Sequence, residues 1–174
     1  MGTKYFGEID FDWAGVSSEH TFSIPYFDKD VEVFLGSEYD DEGEEVETLP
    51  TETELLEYEN TLNYFLENIN KIIDNIKEKG FEKYKNIYAK YYEIEFVVEG
   101  FFETNVEKGK VHEPLNIDTK DKHFEYMKNI NYIRILKDTK IIIPIRYKLD
   151  TEHGLEILLQ ENEVKNICGI GQNY

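Results

Sequence analysis

Hydrophobic residues recur along the chain with two different periods, and the change of period divides it. Between Pro50 and Gly80, Leu55, Leu62, Ile69 and Ile76 fall seven apart, and Tyr58, Phe65 and Ile72 fall between them at the three-then-four spacing. Leu56, Leu66 and Ile73 widen the stripe. That period predicts one long central helix. Thr51 followed by Glu54 has the form of a capping box, and Lys77, Lys79 and Gly80 read as the C-terminal stop. The stripe is wider than a two-residue seam, which favours a helix lying on a sheet. Self-association through a seam over residues 55–76 is the other reading.

Upstream the period is two. Tyr5, Ile9 and Phe11, then Phe22, Ile24 and Tyr26, then Val31, Val33 and Leu35 alternate with other residues, predicting strands near 4–13, 20–27 and 30–36. Asp28-Lys29-Asp30 reads as a turn between the second and third. Downstream of Gly80, Phe81, Tyr84, Tyr88 and Tyr91 step by three and four, predicting a second helix over 81–92 or a kinked continuation of the first. Ile94, Phe96 and Val98 alternate as a strand, whereas 99–114, with Gly100, Gly109 and Pro114, has no readable pattern. Asp118 is placed to cap a short helix through Met127. Strands then follow at Ile133–Ile135, Ile141–Leu149, Leu155–Leu159 and Val164–Ile170, with Pro144 marking a bulge or an edge. The expectation is one α+β domain over residues 1–174. It has a mainly antiparallel sheet of about three N-terminal and four C-terminal strands, with one long central helix packed on one face.

Charge changes the picture more than composition does. The net charge of −18 excludes a nucleic-acid binder, which needs a basic face. From Glu38 to Glu59 eleven acidic residues occur with no Lys or Arg, while the rest of the chain carries 19 cationic against 26 acidic residues. One reading is a solvated loop plus a favourable acidic first turn of the helix. The other is a binding surface for a protein with a basic face, centred on Asp40, Asp41, Glu42, Glu44 and Glu45. The run Asp40–Glu45 lacks the alternating ligands and the twelfth-position Glu of a calcium loop, so no metal is expected there. A single cysteine, Cys168, excludes an internal disulfide and suits a reducing cytoplasm. The start lacks an apolar leader region and no run reaches 18 apolar residues. A cytoplasmic protein without a membrane span is therefore expected, as a monomer or weak homodimer.

No motif nominates a reaction. The four histidines stand at 20, 112, 123 and 153, with neither a G-x-S-x-G nor an H-E-x-x-H run. Gly169-Ile170-Gly171 has no helix after it, and Cys168 reads as a small core residue. The one polar cluster that looks placed is Asp150, Glu152 and His153, before Gly154. It reads either as a tight turn, with Asp150 bonding nearby backbone and Gly154 supplying a positive φ, or as a His–carboxylate pair that binds a metal or moves a proton. The first reading leaves no catalytic residue and no cofactor. The second makes a metal-dependent or hydrolytic enzyme centred on His153. The thirteen tyrosines, six of them in the helical third, suit either a recognition surface or the boundary of a core.

Taken together, the segments Tyr5-Phe6-Gly7-Glu8-Ile9, Val31-Glu32-Val33, Asn63–Leu66, Tyr91-Tyr92 and Asp150-x-Glu152-His153-Gly154-Leu155 resemble a group of uncharacterised bacterial domains. Leu149 stands where that group often has Trp. The resemblance implies a fold and a context, since members often look like immunity proteins encoded beside bacterial toxins. It implies no catalytic residue.

Overall fold

The computed structural model describes residues 2–106 and 113–173, so Met1, Gly109, His112 and Tyr174 lie outside the described residues. Four strands come first: β1 (Gly2–Thr3), β2 (Gly7–Asp12), β3 (Gly15–Ser18) and β4 (Glu32–Leu35). Helices α1 (Glu52–Glu67) and α2 (Ile69–Lys83) follow, then a π-helical turn over Tyr84–Tyr88 and α3 (Ala89–Tyr92). A hairpin of β5 (Glu95–Val98) and β6 (Phe101–Thr104) and the short α4 (Lys120–Phe124) lead to β7 (Tyr132–Leu136), β8 (Lys140–Ile145), β9 (Leu155–Gln160) and β10 (Glu163–Cys168). The main sheet runs β1-β2-β3-β4-β7-β8-β9-β10, with the two-residue β1 at its edge, and β5-β6 stands apart from it.

The expected sheet and helix are both corrected. The sheet is mixed, because β4 pairs with β7 in parallel, Val33 opposite Ile133 and Leu35 opposite Ile135. The single long helix is not formed. Asn68 interrupts it at φ −104° and ψ 11°. The Asn68 side-chain amide donates to the Tyr64 carbonyl at 2.8 Å, and the Asn162 amide donates to the same carbonyl at 3.0 Å. Short amide side chains compete in this way for the groups a helical ladder needs. Gly80 does not end the helix either. It lies inside α2, where an added Cβ would stand 2.8 Å from Met127 Sδ and 3.5 Å from His123 Cε1, so its role is close approach.

The capping box is present: Thr51 accepts from the Glu54 N–H and Glu54 accepts from the Thr51 N–H. Lys137, reaching Glu54 at 2.7 Å, and then Thr51 hold that carboxyl down at about 2. The heptad stripe is buried against the sheet. Leu62, Phe65, Ile72 and Ile76 are fully covered and share one core with Ile133, Ile135, Ile143 and Ile157. The strand expected at 20–27 is only a bridge between Phe22 and Val31. Pro25 lacks a donor and Tyr26 takes φ +77°, so the segment turns away from the sheet. The helix expected from Asp118 starts instead from Thr119, whose hydroxyl accepts from the Lys122 N–H. Residues 146–149 leave the sheet after β8, and Pro144 lies beyond the last β7–β8 pair, Arg134 with Ile142.

The outer face of the sheet carries one buried cation. Arg134 is 1% exposed, pairs across the parallel ladder with Phe34, and has its guanidinium 5.4 Å from that ring's centroid. It donates to the carbonyls of Ala14 at 2.7 Å and Gly36 at 3.0 Å and lies 3.5 Å from Glu38 Oε2. One side chain thus ties the β2–β3 turn and the start of the 36–50 loop to β7. Arg134→Met should keep the stem but strand the buried Ala14 carbonyl and the half-buried Gly36 carbonyl. We expect a loss of about 2–4 kcal/mol in urea unfolding, against under about 0.5 kcal/mol for the exposed control Lys165→Met. Equal, small effects would show that Arg134 holds nothing in place.

Candidate functional site

The acidic loop between β4 and α1 is ordered by its own backbone. Asp40 Oδ1 accepts the N–H groups of Glu42 and Glu44, each at 2.9 Å, while Asp40 N–H donates to the Glu44 carbonyl and Val46 N–H to the Glu38 carbonyl. Asp40 is therefore the organiser of the loop. Asp41, Glu42, Glu44 and Glu45 are exposed around it.

The two sides of this loop differ in charge compensation. One side closes a cleft of about 540 Å³ against α1 and the β7–β8 turn, and Lys137 and Lys140 line it. The other side faces the β2–β3 turn across a cleft of about 330 Å³ lined by Phe11, Asp12, Trp13, Gly15, Glu38, Glu45, Val46 and Glu47. Among the described residues no Lys or Arg lines that second cleft, and of its carboxylates Glu38 is paired with the buried Arg134 at 3.5 Å. Trp13 is 64% exposed there and Phe11 46%. Trp13 is held from beneath, its ring edge-on to Phe34 and to Tyr132, each with centroids 5.3 Å away. The Trp13 backbone N–H donates to Asp12 Oδ1 at 2.7 Å. An open indole beside four carboxylates can take a cation by both ring quadrupole and charge. Trp13 is not among the residues that the sequence pattern nominates for binding. The usable signal was a tryptophan in a turn between two acidic segments.

Asp150, Glu152 and His153 form the turn between β8 and β9, well away in sequence from the acidic loop. Asp150 Oδ1 accepts the His153 N–H at 3.2 Å and lies 3.0 Å from His153 Nδ1, and the Asp150 carbonyl accepts the Gly154 N–H at 2.9 Å. Gly154 has φ +61°, and an added Cβ would stand 2.5 Å from Ile170 Cδ1 and 2.9 Å from the Ile145 carbonyl oxygen. Glu152 is exposed and His153 points to solvent. The hydrogen bond that His153 Nδ1 gives to Asp150, and then the Asp150 charge, raise the His153 imidazole above its ordinary value. Partial burial acts to raise the Asp150 carboxyl, but the bonds from His153 and Tyr88 together hold it below its ordinary value. Among the described residues no three or more His, Cys, Asp or Glu side chains stand together as a metal set.

Three tyrosines from the end of the helical run reach the same region. Tyr84 donates to Glu93 Oε1 at 2.6 Å, Tyr88 to Asp150 Oδ2 at 3.2 Å, and Tyr92 to the Leu149 carbonyl. The π turn, closed by the Ala89 N–H on the Tyr84 carbonyl, is where this row begins. Beneath it His123, fully buried, shares a 2.7 Å hydrogen bond between its Nε2 and the Tyr147 hydroxyl, while its Nδ1 has no partner. Burial lowers the His123 imidazole to about 4 and raises the Tyr147 hydroxyl. A neutral, inaccessible imidazole is a structural group.

Two outcomes follow. Gly154→Ala forces a side chain into the left-handed region against a carbonyl, and we expect about 1–3 kcal/mol less stability by denaturant titration, with His153→Ala near zero. For His123, the unfolded chain binds a proton below its ordinary value of 6.5 that the folded chain refuses until about 4. Stability from this residue is therefore full above pH 6.5 and falls as pH falls, by about 3 kcal/mol across the window. Unfolding free energies of wild type and His123→Gln, measured from pH 7 to 4, should converge. Parallel curves would contradict the assignment.

None of the curated proteins and none of the solved structures compared with the chain matches it. A family model does, over residues 5–172, and that span includes the acidic loop, the Trp13 turn and the Asp150–Gly154 turn. The chain belongs to DUF6985, a domain of unknown function.

Proposed function

We propose that this chain is a non-catalytic protein-binding module that takes a basic segment of another protein into the cleft between Trp13 and the acidic loop. The observation that supports it is a ring exposed to 64% beside Asp12, Glu45 and Glu47 in a cleft that, among the described residues, no Lys or Arg lines. Exposed indole is costly to leave in water unless something covers it, and aromatic anchors carry much of the affinity of protein interfaces. Carboxylates around it would steer a basic partner and set its salt dependence, each adding little alone. The immunity-type role implied by the resemblance, in a bacterial cytoplasm, belongs with this reading, because such an inhibitor covers a basic partner. Against the enzyme reading, the Asp150–His153 pair is spent inside a turn, and no Ser, Thr or Cys hydroxyl or thiol bonds to either histidine in the two sites above.

Trp13 is the one tryptophan of the chain, so its emission reports on the cleft directly. A blocked Arg-rich hexapeptide should change that emission saturably, with an apparent Kd that rises steeply between about 0.05 and 0.5 M salt as the screening length shortens. Replacing Asp40, Asp41, Glu42, Glu44 and Glu45 by Asn or Gln should weaken binding at least about tenfold, flatten the salt slope and leave all five positions' loop only locally changed. Because Asp40 orders the loop, a second variant with Asp40 retained separates charge from loop geometry. Equal affinities and salt slopes for wild type and both variants would refute the reading.

A further inference from the structure

The β5–β6 hairpin stands outside the main sheet, and its surface is unlike the acidic cleft. Phe101 is 72% exposed and Phe102 69%, and as neighbours in one strand they point to opposite faces. Tyr91 and Val106 beside it are 62% and 56% exposed. Among the described residues β6 pairs only with β5. Two-stranded hairpins are marginal in water, yet this one is anchored at its base. Asn105, 5% exposed, donates its N–H to the Ile94 carbonyl at 2.7 Å and its side-chain amide to the carbonyls of Lys90 and Glu93.

The register fixes which backbone groups face outward. Val98 opposes Phe101 across the two-residue turn Glu99-Gly100, whose φ values of +52° and +83° are those of a tight primed turn. In such a hairpin the closing pair exchanges hydrogen bonds and the next pair does not. Val97–Phe102 and Glu95–Thr104 are then the non-bonded pairs, so the N–H and C=O groups of Phe102 and Thr104 point away from β5 to the outer edge. Among the described residues nothing pairs with that edge, and an edge flanked by apolar side chains is a template for another strand.

We propose that the outer edge of β6 accepts an extended segment of a partner protein in which apolar residues alternate with Lys or Arg. The apolar positions would lie against Phe101 and Phe102. The basic positions follow from charge: Glu95 and Glu99 are exposed on the hairpin, and residues 93–106 hold no Lys or Arg. A second copy of this chain would bring the same glutamates against themselves, on molecules of net charge −18, which selects a partner of opposite sign. This goes beyond the Trp13 cleft and shares no residue with it.

The test uses the full chain, 15N-labelled, and blocked octapeptides that alternate Val and Lys. Peptide should slow amide hydrogen exchange at Phe102 and Thr104. Two further peptides, N-methylated on one or the other alternate set of amides, should show at least one loss of about tenfold or more, because strand addition uses backbone N–H groups on one side only. Phe101→Ser and Phe102→Ser should each weaken binding about tenfold at unchanged melting temperature, and a Val–Glu peptide should not bind. Full binding by both N-methylated peptides overturns the proposal. So does protection confined to residues 38–47, or protection of Phe102 and Thr104 that grows with chain concentration without peptide, which would mark self-pairing. Trp13 emission recorded in the same titration keeps the outcomes apart, since failure at β6 leaves the cleft's response intact.

Discussion

The parallel pairing of β4 with β7 is the constraint on which the rest of the structure depends. It joins the N-terminal strands to the C-terminal meander across a gap of almost a hundred residues, Leu35 to Tyr132. Parallel neighbours cannot be joined by a tight turn, so the intervening chain has to cross over and return to the same end. The helices make that return and bury the inner row of the ladder, Val33, Leu35, Ile133 and Ile135, beneath Leu62, Phe65 and Ile72. The outer row of the same ladder pairs Phe34 with Arg134. On that side Arg134 bonds the carbonyls of Ala14 and Gly36, and Trp13 lies edge-on over Phe34. The pairing that closes the core therefore also positions the turn and the loop that bound the acidic cleft.

The crossover needs a second fixed point at its far end, and the tyrosine row supplies it. Tyr88 and Tyr92 reach Asp150 and the Leu149 carbonyl, bringing the end of the helical run to the turn that links β8 and β9. Burial, and then the Asp150 carboxylate, raise the Tyr88 hydroxyl to about 12, so it remains a donor across the physiological range. This gives a physical reason why the Tyr91-Tyr92 segment and the Asp150–Leu155 segment stand out together in the sequence. Tyr92 and Asp150 are two ends of one contact region. Gly154 is constrained there for a separate reason, with Ile170 and the Ile145 carbonyl occupying the space of its absent side chain.

What could be read in the sequence was what depends on period and local chemistry. The heptad stripe, the Thr51–Glu54 box, the C-terminal strands and the Asp150–Gly154 turn are local patterns, and the structure contains each of them. The single long helix failed because Asn68 preserves the hydrophobic period while its amide takes the Tyr64 carbonyl, which periodicity does not register. Gly80 misled because a helical glycine that makes room for Met127 looks identical, in one dimension, to a helix stop. The parallel β4–β7 pair is a long-range choice with no local signature. Arg134 between Ile133 and Ile135 carried a signal that went unused: a cation at a mid-strand position, between two core residues, must face the other side of the sheet. Of the loop carboxylates that the sequence nominates, Glu45 alone lines the cleft, and the aromatic wall comes from Trp13, 25 positions before Glu38.

The carboxylates of this chain divide into two kinds, and the division bears on what the charge is for. Asp40 orders a loop, Glu54 completes a cap and pairs with Lys137, Glu93 accepts from Tyr84 and from the N–H groups of Asn116 and Ile117, and Asp150 holds a turn. These are structural acceptors, and a neutral amide would fill several of them poorly, because an amide offers one accepting oxygen where a carboxylate offers two. Asp41, Glu42, Glu44 and Glu45 are exposed on the loop that Asp40 orders. A surface acidic only for solubility would spread its charge and intersperse the opposite sign. Here like charges are gathered on a loop whose backbone is held in one conformation, with Glu45 turned to the cleft of the uncovered indole and Asp41 to the cleft that Lys137 and Lys140 line. Holding like charges together on a fixed scaffold carries a repulsive cost that a cationic ligand would relieve, which is the energetic basis of the proposed binding role.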